Sequence, residues 1–246
     1  MEASDRSAEC APVAALLYQP ECLPSIDVLN AAAKDGGGFA VSHAPEPSEG
    51  WAEVLREGLT FDVRGLREGT VASASDLTTA LGLPIASIKA LSWLAIAPGP
   101  HLAGAERLLP VIRVVSALLV ELARIGPATA IAWIPARLVL KTEYFEQAIR
   151  PWLEGGPFPA PAFVAMHREA DGSLRTEGLN FLTGQEFTLR TRTASSDVPL
   201  ARIAVRLVDW LVAYGPVTQS AEAILAGTGA VVLEAEGSDR IVAWCD

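Results

Sequence analysis

The sequence predicts an α+β fold built from two tandem β-α-β-β-α-β halves of ferredoxin-like type, with mostly antiparallel sheets and helices packed on their faces. Three observations carry that expectation. Residues 106–125 hold a long helix pattern with Leu108, Leu109, Val111, Ile112, Val114, Val115, Leu118, Leu119, Leu122 and Ile125. It is apolar on nearly every side, and Arg113, Ser116, Ala117, Glu121 and Arg124 form its one weaker stripe. Such a helix must be covered over most of its surface. After the Gly126-Pro127 stop comes Thr129-Ala-Ile-Ala-Trp-Ile-Pro135, an uncharged run that suits a strand buried on both faces in mid-sheet. Finally, the order of elements before this centre is repeated after it.

Taken in order, residues 1–11 are small, polar and without pattern, which predicts a disordered tail. Residues 13–18 form a compact apolar strand. Ser25 can cap a helix reaching Lys34, with Ile26, Leu29 and Ala33 on one face, and Gly36-Gly-Gly38 ends it. A glycine run that cradles phosphate stands between a strand and the start of a helix, whereas this one follows a helix, so it reads as a turn. Strands are expected over 39–43, 59–63 and 92–97. Residues 51–56 suggest one or two helical turns, and residues 76–91 a helix interrupted at Gly82-Leu-Pro84. Pro110 fits the first turn of the central helix, since an interior proline costs roughly 3 kcal/mol.

In the second half, residues 142–154 form an amphipathic helix. Residues 163–167 form a strand, and Asp171-Gly172 is a hairpin signal. The return strand runs over 174–181, bends at Thr183-Gly184 and resumes over 186–191. Ser196 or Asp197 caps a helix over 199–214, and residues 229–236 and 240–244 close as a hairpin. The two halves share local matches: Leu17-Tyr18 with Trp133-Ile134, Phe39-Ala-Val-Ser-His43 with Phe163-Val-Ala-Met-His167, and Gly58-Leu-Thr-Phe61 with Gly178-Leu-Asn-Phe181. A weak internal duplication follows, dividing the chain into a tail over 1–11, an N-terminal half over 12–104, and the linking helix with a C-terminal half over 105–246.

Composition narrows the function classes. In 246 residues, half are hydrophobic, ample for a filled core, and the mean hydropathy is +0.31. The longest uncharged stretch, residues 90–105, is broken by Pro98, Gly99 and Pro100 and is too short for a membrane span. Acidic residues stand where a signal peptide carries basic ones, so a cytoplasmic location is expected. The formal net charge is −10 and the cations are scattered, which argues against nucleic acid. Cys10, Cys22 and Cys245 have no metal-ligand spacing and read as reduced thiols. His43, His101 and His167 are too separated for a local metal site, and no P-loop, G-x-G-x-x-G or G-x-S-x-G occurs. No metal and no cofactor are expected.

The run from Arg113 to Ala123, the Ala-Ile-Ala-Trp strand, the Tyr144-Phe145 helix and Gly178-Leu-Asn-Phe-Leu-Thr-Gly-Gln-Glu186 together resemble a bacterial family of domains of unknown function. There a "GL..(F)G..E" turn follows a helix-strand-helix core. The resemblance extends from about Val13 onward, with Thr183 where the family usually has phenylalanine. It implies a fold and no activity.

Two functional readings remain. The first is a non-enzymatic module that binds another protein or itself. Of the six tryptophans, Trp93, Trp133, Trp152, Trp210 and Trp244 fall at apolar positions of expected elements and read as core, whereas Trp51 lies in a polar stretch and is the interface candidate. The second is a small-molecule-binding or catalytic domain using polar residues at strand ends. Its candidates are His43 and His167, at matching ends of matching strands, with Glu177, Glu186 and Arg190 brought near His167 by the hairpin. A histidine beside a carboxylate and an arginine is suited to acid-base work, and equally to ending a strand.

Overall fold

The computed structural model describes residues 10–66, 76–192 and 199–246. The expected cap at Ser196 or Asp197 and most of the expected tail lie outside the described residues. The chain divides into two compact units, one comprising residues up to Ile134 with Val139–Ile149, the other Pro135–Leu138 with Arg150–Asp246. A division at 104/105 assigns the long helix and the strand after it to the second half. They belong instead to the first unit, whose core they supply.

The first unit contains strands β1 (Ala14–Tyr18), β2 (Ala40–His43), β3 (Trp51–Arg56), β4 (Leu59–Arg64), β5 (Thr79–Leu81), β6 (Ser92–Pro98), β7 (Ala130–Trp133) and β8 (Leu138–Lys141). They form one sheet in the order β2-β3-β4-β6-β1-β7-β8-β5. All of β1 is buried, and it is antiparallel to both neighbours, with Leu16 opposite Leu94 on one side and Ile131 on the other. Helix α1 (Ile26–Lys34) begins at Ser25, whose hydroxyl accepts from the Val28 N–H at 3.4 Å, and buries Leu29. Helix α2 (Leu109–Ile125) covers the face of β1 that carries Tyr18, whose hydroxyl donates to the Leu122 carbonyl at 3.0 Å. On the opposite face Ala15, Leu17, Trp93, Ala130, Ala132 and Val139 pack with Ile88 and Leu91. As its pattern required, α2 is deeply buried, in ten of seventeen residues, and β7 is a buried interior strand. Ser116 and Ala117, members of the expected weaker stripe, are buried too, and the Ser116 hydroxyl donates to the Ile112 carbonyl at 2.6 Å.

Several elements differ from expectation. Residues 51–56 are a strand: Ala52 and Val54 alternate inward against Glu53 and Leu55, and Glu57-Gly58, both at positive φ (50° and 81°), close a two-residue hairpin onto β4. Over residues 76–91 Gly82 and Pro84 separate β5 from a 3-10 helix at Ile85–Ala90, and no long helix forms. Strand β8 follows Pro135 so closely that no turn signal announces it. Helix α3 (Thr142–Leu153) carries Pro151, which cannot donate to Gln147, and the division between the units falls one residue before it.

The second unit contains α4 (Ala160–Phe163), β9 (Ala165–Arg168), β10 (Leu174–Glu177), α5 (Leu179–Thr183), β11 (Glu186–Thr191), α6 (Leu200–Tyr214), β12 (Ala221–Leu225), β13 (Gly229–Ala235) and β14 (Arg240–Cys245). Its sheet runs β12-β13-β14-β11-β10-β9, with β11 and β14 parallel and the other pairs antiparallel. Phe163 ends a helix and does not open a strand. One face of this sheet is dry, with Leu174, Phe187, Leu189, Ile241, Ala243, Leu233 and Ala223 buried, and α6, which packs on β10, β11 and β12, covers it with Ile203, Leu207 and Leu211.

The molecule is thus α+β with two mostly antiparallel sheets. Sheets of eight and six strands are not the four-stranded sheets of a ferredoxin-like tandem. The matched segments also diverge: β1 and β7 are neighbours in one sheet, while Gly58-Leu-Thr-Phe61 runs into a strand and Gly178-Leu-Asn-Phe181 opens a helix.

Candidate functional site

Strands β9 and β10 are joined by the expected Asp171-Gly172 turn, with Gly172 at φ 84°. The Asp171 carboxylate accepts from the Ser173 hydroxyl at 2.6 Å and from the Ser173 N–H at 3.0 Å. Those bonds, with the Arg190 charge, hold its carboxyl below the usual value. The register sets Arg175 opposite His167 and Glu177 opposite Ala165, so His167 and Glu177 are diagonal neighbours on one face. His167 Nε2 stands 3.0 Å from Glu177 Oε2, and Arg137 Nη1 lies 3.6 Å from Glu177 Oε1. Both members of the His–Glu pair are half-buried.

Two special backbone positions assemble this cluster. Arg137 is one of the few non-glycine residues with positive φ, 51°. Gly178 has φ 96°, and a Cβ there would overlap the Cβ and Cα of Ala136, so a glycine is what lets the 135–138 segment come close to the end of β10. Arg137 is thereby placed beside Glu177. No local pattern in the sequence marks Arg137.

Glu186 has a different task. Its Oε1 accepts from the Gly178 N–H at 2.6 Å and the Asn180 N–H at 3.1 Å, which locks α5 between two left-handed glycines, Gly178 and Gly184. The expected long, bent strand is therefore a strand, one closed helical turn and a second strand. Beside it Gln185, 2% exposed, donates to the Val217 carbonyl at 2.9 Å and accepts from the Val217 N–H at 2.8 Å. The spacing of Gly178, Gly184 and Glu186 thus has a structural explanation in the turn itself.

Arg190 is set apart from His167. Its guanidinium lies 6.0 Å from the centroid of the Trp244 ring and 3.8 Å from Asp171. His43 belongs to the first unit, exposed on edge strand β2, with its ring 5.5 Å from that of Trp51. Trp51 is half-buried and its indole N–H donates to Glu49 at 3.2 Å. Of the five residues proposed to bind a ligand, the fold brings His167 and Glu177 together, adds Arg137, and assigns Glu186 and Arg190 to other contacts.

Chemically, an ionised Glu177 can only accept, so the proton of a neutral His167 sits on Nε2 and leaves Nδ1 as an acceptor. That is the orientation a general base needs. Among the described residues no group of three or more His, Cys, Asp or Glu is placed to hold a metal ion. Cys245 is buried, and burial followed by the Asp246 charge pushes its thiol upward.

The face of the six-stranded sheet opposite α6 is of another character. Val232, Val242 and Trp244 are half-buried, and Ile224 is 78% exposed. Trp244, read from the sequence as core, lies on this face because β14 alternates, with Ile241, Ala243 and Cys245 turned to the dry side. Trp210 is also only half-buried, its ring 4.8 Å from that of the exposed Tyr214.

Among the described residues no helix is long and apolar enough to cross a membrane. Compared with protein-family models, with curated proteins and with solved structures, the chain has no match.

Proposed function

We propose that this is a cytoplasmic, non-enzymatic protein-interaction module that works through the exposed face of its six-stranded sheet. The observation that carries the reading is that half-buried Val232, Val242 and Trp244 and exposed Ile224 share the face of the sheet turned away from α6, which packs on the other face at β10, β11 and β12. Aromatic and aliphatic side chains on a flat, exposed strand surface are what protein interfaces bury. Trp51 is a second contact candidate in the first unit. The kinship with the bacterial family of "GL..(F)G..E" domains belongs to the same proposal and rests on the Gly178–Glu186 turn.

The test is affinity capture from cell extract with the wild-type chain and with a Trp244→Ala, Ile224→Asp variant of unchanged melting temperature. A species, either this chain or another protein, retained by the wild type and lost by the variant is expected. Identical capture by both overturns the reading.

The 3.0 Å contact between His167 and Glu177 supports a second reading, a small-molecule site at the ends of β9 and β10 with Arg137 as a further polar group. A thermal-shift ligand screen is the matching experiment. A ligand response that survives His167→Ala removes this reading.

A further inference from the structure

We draw no further inference here: the strongest candidate, the apolar strip of Val232, Val242, Trp244 and Ile224 on the face of the six-stranded sheet turned away from α6, carries nothing because nothing in the structure shows what covers it.

Discussion

Gly178 and Glu186 carry the clearest single-residue consequences. Gly178→Ala must bring a Cβ into a left-handed residue pressed on Ala136, and we expect a loss of about 2 kcal/mol or more in urea unfolding, from strain and displaced packing together. Glu186→Ala leaves two backbone N–H groups without their acceptor and should cost about 2 kcal/mol, while Glu186→Gln, which keeps an acceptor, should cost less. Tyr18 gives a pH prediction. Its buried phenol is held well above its ordinary value by desolvation, so the folded state retains a proton that the unfolded chain releases near pH 10. Stability from this group is complete below about pH 10 and falls as the pH rises above it. The alkaline unfolding midpoint should therefore be less steeply pH-dependent in Tyr18→Phe, although that variant also loses the bond to Leu122. Among the thiols, Cys245 is buried and raised, whereas Cys10 and Cys22 are partly exposed, so a disulfide reagent should label Cys245 last.

Helix α2 is the element on which stability concentrates. Leu118 is fully buried, and Leu118→Ala should cost about 2–5 kcal/mol by urea titration, since the cavity it leaves is lined by fixed neighbours. This helix and β7 were readable because their burial is nearly complete, which writes itself as an unbroken apolar run. Elements with one dry face were harder to see. Residues 51–56 mix Trp51, Glu53 and Arg56 with Ala52 and Val54, and only the two-residue period, with Glu57-Gly58 after it, distinguishes a strand from a helical turn. Strand β12, Ala221-Glu-Ala-Ile-Leu225, is too short and too alanine-rich to declare itself without its partner β13. At the candidate site the hairpin signal at Asp171-Gly172 put Glu177, Glu186 and Arg190 together near His167, and of these Glu177 is the one His167 contacts. Arg137 could not be foreseen, because it arrives from 40 residues upstream through contacts made by Ala136 and Gly178. Similarly, the closed turn at 178–184 depends on Glu186 reaching back to cap it, a tertiary choice between two uses of the same glycines.

Across the whole molecule, each sheet is knit together by a strand that pairs with at least one distant part of the chain. In the first unit β1 lies between β6 and β7; in the second, β14 lies between β13 and β11. Element order along the chain is therefore a poor guide to neighbourhood, which is why a duplication of β-α-β-β-α-β units fitted the sequence and not the strand order. The consequence for the nascent chain is one of timing. Strand β1, with five buried positions and no partner nearer than Ser92, leaves the ribosome 74 residues before its first neighbour begins to follow it (92 − 18 = 74). At translation rates of about 5–20 residues per second, Ala14–Tyr18 waits roughly 4–15 s as an unpaired apolar segment. That interval is long enough for a holdase to bind it, so ribosome-nascent chains stalled before residue 92 should crosslink to such chaperones through residues 14–18, and chains stalled well beyond residue 133 should not.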